Sequence, residues 1–396
     1  MISKIKDRAK QVFSEMGYTS IDQELWKYTN IKNFTSSIRY NEIVDIDINS
    51  YLIRNSINII LLNGMIAHQD KKQIEGVQIF NYEQIVSSDR LADKFLEISN
   101  YNQSGVVAHN TSEFKDAIYI KISSRYNADI PINIISLSKG IDENKIIFPR
   151  IYVHAEENSN SKFFIQHINT TPSTGGLINS VTEFCCENSA QLEVIHSSNI
   201  KSQKAIDSIT FNQGDNSKIK FFSAAFGGDL YKSNIDIDIK GENCDNKFNI
   251  LILGSQKNHI DYYTNINHYG KNSINQFECR SMLKDNANGV FNGKILVEEG
   301  GSGTDSTLNN NNLLLSNNST MQSNPQLEIN CEDVKCSHGS TSGNLDKEAL
   351  FYLRSRGILK SEAKQILVEG FIEKLLSPFN FKLLPINKKI KKWIQA

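Results

Sequence analysis

Asp215-Asn216-Ser217-Lys218-Ile219-Lys220-Phe221 is a polar corner followed at once by an alternating strand, and this pairing recurs along the chain. Glu187-Asn188-Ser189 precedes Gln191-Leu192-Glu193-Val194-Ile195, Glu242-Asn243-Cys244 precedes Lys247-Phe248-Asn249-Ile250, and Lys271-Asn272-Ser273 precedes Ile274-Asn275-Gln276-Phe277. Asn158, ahead of Lys162-Phe163-Phe164-Ile165, extends the series upstream, with the asparagines 27 to 30 residues apart. Asn and Ser hydrogen-bond their own backbone, and Asn tolerates left-handed geometry, so both suit tight corners. One strand cannot bury its inner face alone, whereas stacked coils form a continuous core. A period of this size holds two or more short strands with their corners. The reading is a β-helix solenoid. A β-sandwich would show turns about every 8–12 residues without a recurring corner. Chance in an asparagine-rich chain is the other competitor.

Outward from the repeat, Ile118, Ile120 and Ile122 open the strand pattern, and Ile130, Ile132 and Ile134 continue it. Pro131 makes the second run a strand start or an edge. Before it, Ile2, Ile5, Ala9, Val12, Phe13 and Met16 recur at helical spacing and Gly17 is a stop. Trp26 reads as a packing aromatic. Residues 58–100 mix the apolar run Ile59-Ile60-Leu61-Leu62 with helical pattern around Ala92 to Leu96. After the strands, Asp346 opens a helix with Leu350 and Leu353 on one face, and Gly357 breaks it. Ser361 can cap a further helix whose apolar stripe is Ala363, Ile366, Leu367, Gly370, Phe371 and Leu375. Lys388, Lys389, Lys391 and Lys392 surround Trp393 as a solvated helix end or a partner contact. The expected organisation is an α-rich region at 1–110, a β-helix core at 111–345 and a helical region at 346–396. Helices at a solenoid end would cap its open sheet edge or form a docking site.

Composition narrows the function classes. The chain has 396 residues and a net charge of −1, so no global field calls for nucleic acid or anionic membrane. No apolar run approaches the roughly 18 residues of a membrane span, and no apolar segment after the N-terminus suggests a secretory signal. Six cysteines are too few for a disulfide scaffold and point to reduced thiols in the cytoplasm. Gly300-Gly301-Ser302-Gly303-Thr304 lacks the Gly-Lys-[Ser/Thr] ending of a phosphate loop and reads as a corner. Adjacent Cys185 and Cys186 point to opposite faces of a strand. Cys244 and Cys279 read as small core or corner residues. His154, His167 and His196 have no partner at ligand spacing and read as hydrogen-bonded surface histidines.

The chemistry concentrates near the end of the strand pattern. Gln326-Leu327-Glu328-Ile329 alternates as a half-buried strand, and Cys331, Asp333, Cys336 and His338 follow within eight residues. Gly339-Ser340-Thr341-Ser342-Gly343 reads as a glycine-rich turn. On a strand, Cys336 and His338 share one face and present a thiol beside an imidazole. Thiolate suits iron and clusters, and imidazole can complete such a shell. Cys331, five residues before Cys336, would face the other way on an uninterrupted strand. No catalytic constellation stands out.

Asn324-Pro325-Gln326-Leu327-Glu328-Ile329, Asp333-Val334-Lys335-Cys336-Ser337-His338-Gly339 and Leu350-Phe351-Tyr352-Leu353-Arg354-Ser355-Arg356-Gly357-Ile358 resemble the C-terminal signature of the SufB/SufD family of iron–sulfur cluster assembly subunits. Cys-Ser-His-Gly and Leu-Arg-Ser-Arg-Gly resemble its SufD branch more than its SufB branch. The likeness extends to Gly289-Val290-Phe291-Asn292-Gly293-Lys294-Ile295, Gly303-Thr304-Asp305 and Asn312-Leu313-Leu314-Leu315-Ser316. It is looser at Phe148-Pro149-Arg150, Val181-Thr182-Glu183 and Trp26-Lys27-Tyr28-Thr29. The resemblance implies a mainly β fold: a right-handed parallel β-helix solenoid flanked by N-terminal and C-terminal helical regions. It implies a non-catalytic subunit that pairs with a SufB-like subunit through the last strands and binds a SufC-type ATPase through the C-terminal helices. Leu350, Phe351, Tyr352, Arg354, Arg356, Ile366 and Phe371 are then the partner-binding candidates. Cys336 and His338 are the candidate metal ligands, for a transient iron–sulfur cluster shared with the partner. FAD in the complex and a homodimer without the partner stay open. The alternatives are a SufB-like scaffold that accepts sulfur on Cys244 or Cys279, and a β-helix carbohydrate-active enzyme.

Overall fold

The computed structural model describes the whole chain except residues 1, 19–22, 31–37, 72–73, 129, 171–175, 381–383 and 396. Among the described residues, two long sheets face each other, one of eleven strands and one of ten. From Arg150–Ala155 onward successive strands go to alternate sheets, and like strands pair in parallel with unbroken register from one turn to the next. This is the expected solenoid. The strand Ile132–Ser138 begins immediately after Pro131, where proline's missing N–H is harmless.

The corners carry the repeat. Asn158, Asn216, Asn243 and Asn272 have φ near +58° and occupy the left-handed region. In the turn between the first two of them, Ser189 rather than Asn188 holds that position, and Gly303 takes it one turn after Asn272. The backbone N–H of each of these corner residues donates to a carbonyl of the following turn, as Asn216 does to Glu242 and Asn243 to Lys271. Asn188 instead spends its side chain accepting from the N–H of Asp215. The glycine-rich run is a corner too, closed by the Gly303 N–H on the Asp333 carbonyl.

Between the sheets the inward side chains stack in columns. One column in the ten-stranded sheet runs Phe163, Val194, Phe221, Phe248, Phe277, Leu308 and finally His338. Phe184 and Phe211 of the opposite sheet stack at 4.6 Å and meet it edge-on. All these phenylalanines are buried. Large apolar rings at one register, turn after turn, fix the spacing of the sheets by close packing.

The N-terminal segment covers the outer face of the eleven-stranded sheet and contributes strands as well as helices. Ile57–Leu62 joins the ten-stranded sheet beside Ile132–Ser138, and Val77–Phe80 lies antiparallel on Ile118–Ile122. The helix Ile2–Met16 ends at Gly17, whose φ is +64°. Buried ion pairs pin this layer. Arg150 Nη2 donates to Glu183 Oε2 at 2.5 Å, with Asn110 and Thr111 around the same guanidinium. Lys232 Nζ donates to Asp261 Oδ2 at 2.7 Å, lies 4.9 Å over the Trp26 ring, and shares that carboxylate with the Thr29 hydroxyl. Trp26 is therefore a packing aromatic.

The C-terminal helices do not cap the solenoid end. Lys360–Leu376 and Pro385–Gln395 fold back along the outer face of the ten-stranded sheet. There Val368, Ile372, Leu375, Ile386 and Ile390 bury Phe222, Leu251 and Met282. Asn249 donates to the Leu375 carbonyl, and Lys284 to that of Trp393 while lying 4.5 Å over its ring. Two expectations change accordingly. The buried stripe of the longer helix is Ala363, Val368, Ile372 and Leu375, because apolar residues surround this helix and the sheet selects which face is covered. Its N-cap is Leu359, with Ser361 already inside. Among the described residues no helix is long and apolar enough to cross a membrane.

Two histidines, one half-buried and one buried, make the fold acid-sensitive. His109 stacks on Phe13 at 3.9 Å, and His268 sits in the core against the Ser306 hydroxyl. Burial pushes both pKa values down to about 4. With folded values below the unfolded value of about 6.5, the unfolded chain binds the extra protons, so stability falls as pH drops from 6.5 towards 4. Between pH 7 and 5 each should contribute a loss of about 2 kcal/mol. Urea midpoints of wild type and His109→Phe at the two pH values test this: the variant keeps the stack and should lose about 2 kcal/mol less. Equal losses would refute the assignment.

Candidate functional site

A solenoid must stop, and among the described residues no element forms a lid over the end of this one. Thr320–Ile329 ends the eleven-stranded sheet and Lys335–Gly343 ends the ten-stranded one, each paired along one edge only. Register decides which side chains continue the interior. Met321, Ser323, Pro325, Leu327 and Ile329 follow Gly289, Phe291, Gly293, Ile295 and Val297. Opposite them, Cys336, His338, Ser340 and Ser342 follow Ser306, Leu308, Asn310 and Asn312. In every earlier turn these positions are covered by the next coil. Here nothing among the described residues covers them, and Ile329 is 40% exposed.

Cys336 and His338 thus share a face, as their spacing requires, and that face is the uncovered end of the core. Cys336 is half-buried and packs on the core cluster, while His338 is exposed at the head of the phenylalanine column. Burial pushes the Cys336 thiol up, with its hydrogen bond to the Ser306 backbone opposing and Asp305 reinforcing. A small polar network lies beside the pair. Ser323 Oγ donates to Asn310 Oδ1 at 2.7 Å and stands 2.8 Å from Ser340 Oγ. Lys294 and Glu328 form a 2.5 Å ion pair on the outer side.

Two readings of this stretch change. Gly339–Gly343 is the second half of the last strand, not a turn, because the ladder with Asn309–Leu313 holds it extended. Cys331 lies in the corner between the two strands, so strand alternation does not apply to it. It packs against the same interior cluster as Cys336. Even so, Cys331, Cys336 and His338 do not bring their ligand atoms into one metal-sized group. Among the described residues the three-donor group is His167, His196 and Asp207, inside the solenoid. His154, His167 and His196 are all buried rather than on the surface.

The partner-binding candidates lie just beyond the last strand. Asp346 caps the helix Lys347–Ser355 by accepting from the N–H groups of Glu348 and Ala349. This helix buries none of its residues, and Phe351 and Tyr352 are 72% and 58% exposed. Leu350 is half-buried, Arg354 is exposed, and Arg356 is exposed with its guanidinium 5.3 Å from the Tyr352 ring. Ile366 is exposed on the next helix. Phe371 is half-buried against the chain's own sheet, where Arg280 donates to its carbonyl and lies 5.2 Å from its ring. A short helix with two bare aromatics is an unpartnered apolar surface.

Residues 137–371 match the family model for the SUF system FeS cluster assembly SufBD core domain. The chain belongs to the SufBD family. It is 35% identical over 157 residues to the iron–sulfur cluster assembly protein SufD of Escherichia coli K12, covering 39% of this chain and 37% of that protein. It is 25% identical over 295 residues to SufD of Plasmodium falciparum, covering 73% of this chain and 20% of that protein, and 23% over 257 residues to SufD of Bacillus subtilis, covering 64% and 58%. The chain thus spans less than two thirds of the length of these relatives. The SufBD match takes in both uncovered strands and the exposed helix.

The burial of the six free cysteines orders their reactivity. Cys331, Cys336 and Cys185 are half-buried; Cys186, Cys244 and Cys279 are buried, with their thiols pushed up by burial. Iodoacetamide labelling of the native chain, followed by mass spectrometry, should modify the first three and spare the second three until urea is added. Labelling of Cys244 or Cys279 at the rate of Cys336 would contradict the core described above.

Proposed function

We propose that this chain is a non-catalytic subunit of iron–sulfur cluster assembly. Its last solenoid turn pairs with a SufB-like subunit, its C-terminal helices dock a SufC-type ATPase, and Cys336 and His338 contribute to a transient cluster at the subunit boundary. The cluster is cargo of the complex. The observation carrying this reading is the uncovered core end, with a thiol and an imidazole on its inward-type face. Two donors leave a cluster's shell unfilled, so a second subunit that covers the end also supplies the remaining ligands. Without that partner, the same end suits a second copy of this chain. Free thiols fit a reducing compartment such as the cytoplasm.

The alternative of a sulfur acceptor within the solenoid is disfavoured chemically. Cys244 and Cys279 are enclosed, and burial keeps both thiols protonated, whereas sulfur transfer needs an accessible thiolate. A flavin does not fit the chain's large cleft, of about 830 Å³, on the outer face of the eleven-stranded sheet. Its floor carries Asp236 and Asp238 against one Lys240, the wrong balance for a pyrophosphate, and no flavin step is assigned.

Three proteins test the open end: wild type, His338→Ala and His338→Cys, each co-expressed anaerobically with its SufB-like and SufC-type partners. The Ala variant should keep subunit affinity and lose most iron and acid-labile sulfide, and Cys should restore part of both. Were the imidazole a structural hydrogen-bonder, the Ala variant would weaken the heterodimer by about 1–3 kcal/mol, and Cys would not rescue. Phe351→Asp should abolish ATPase capture while leaving the β-rich circular dichroism and the SufB-like contact intact. Deleting residues 361–396 is a poorer test, since it would uncover Phe222, Leu251 and Met282.

A further inference from the structure

His167, His196 and Asp207 come from three strands and two sheets. His167 lies on Asn160–Asn169 and His196 on the neighbouring Gln191–Asn199; His167 pairs with Ser198, two residues beyond His196, so both imidazoles face the interior. Asp207 enters from Lys204–Gln213 in the opposite sheet. His196 is five ladder steps from the last strand, about 24 Å from the open end. All three side chains are at most 3% exposed. One ligand atom from each lies within 4.8 Å of the others.

The hydrogen bonding around them is incomplete in a particular way. Neither ring nitrogen of His167 has a hydrogen-bond partner, although Nε2 stands 3.8 Å from Asp207 Oδ2. His196 Nε2 lies 2.8 Å from that oxygen without the alignment of a hydrogen bond. The far sides of His196 and Asp207 are held, whereas His167 has no outer partner. His196 Nδ1 lies 3.0 Å from Ser223 Oγ, which contacts Tyr262 OH at 2.8 Å. Asp207 Oδ1 accepts from Ser180 at 2.6 Å, and Tyr231 donates to Oδ2 at 3.2 Å. Outer hydrogen bonds that orient imidazole and carboxylate, with unmet lone pairs between them, are the arrangement of a metal site.

We propose that His167, His196 and Asp207 bind one divalent transition-metal ion of the zinc or ferrous class, tying the two sheets together inside the solenoid. Two borderline imidazoles and one hard carboxylate suit such an ion, and thiolate-preferring metals find no sulfur there. Enclosure implies that the ion enters during folding and exchanges slowly afterwards. The site is separate from the open end, and its existence does not depend on what that end does.

The full chain is purified without refolding from cultures supplemented with zinc, iron or cobalt, and metals are quantified by mass spectrometry. We expect about one tightly held equivalent. The cobalt form should show visible d–d absorption that disappears in both His167→Ala and Asp207→Asn but survives in Cys336→Ser/His338→Ala. Trace metal only in natively folded wild type from all three cultures overturns the proposal, and this arm stands even if a variant does not fold. So does absorption that persists in both core variants, or that is lost in the open-end double variant.

Discussion

The constraint on which this molecule depends is that each coil of a solenoid is covered only by the next one. A strand here has an apolar inner face and a polar backbone edge, and both are satisfied by the following turn at unchanged register. The left-handed corners at Asn158, Ser189, Asn216, Asn243, Asn272 and Gly303 make that register repeatable, because each returns the chain to the same height with one inter-turn hydrogen bond. Repetition solves burial everywhere except at the final turn. The uncovered end is thus a consequence of the architecture, and the chain places Cys336 and His338 there.

The helices after that turn sharpen the point. Had they folded over the last strands, they would have sealed the core and the edges together. Instead Lys360–Leu376 and Pro385–Gln395 cover the flank of the ten-stranded sheet, where Phe222, Leu251 and Met282 form an apolar outer surface needing cover. Lys389 is drawn into this packing far enough for burial, aided by Lys201, to lower its pKa to about 8. Between the open end and the docked helices, Lys347–Ser355 is left as a bridge with both aromatics bare. The end and the bridge are contiguous in sequence, so on the proposed reading one short segment holds both partners.

Much of this was legible in the sequence, for physical reasons that also mark where reading stopped. Corner chemistry and strand alternation are local, and they placed the solenoid, the Asp346 cap, the Gly357 stop and the shared face of Cys336 and His338. The covered face of Lys360–Leu376 was not legible, because apolar residues lie all around that helix and only the sheet decides between them. Gly339–Gly343 has the composition of a turn, yet the neighbouring strand holds it extended. Alternation misplaced Cys331 because a corner interrupts the strand. His167, His196 and Asp207 were invisible as a group. Asp207 faces the histidines across two sheets, and no sequence spacing encodes the distance between facing sheets.

The electrostatics of the open end favour a site that is idle alone. Cys336 is held protonated by partial burial, next to an apolar surface that supplies no cation to stabilise a thiolate. Metal binding requires the thiolate, so on the proposed reading a lone chain would meet iron with a weak ligand and one exposed imidazole. A partner covering the end changes both terms on the proposed reading. It brings further ligands to the same ion, and a bound cation lowers the thiol's pKa far more than any neighbouring side chain does. Loading is then cooperative with assembly, since the same contact that buries Leu327 and Ile329 completes the shell around Cys336 and His338.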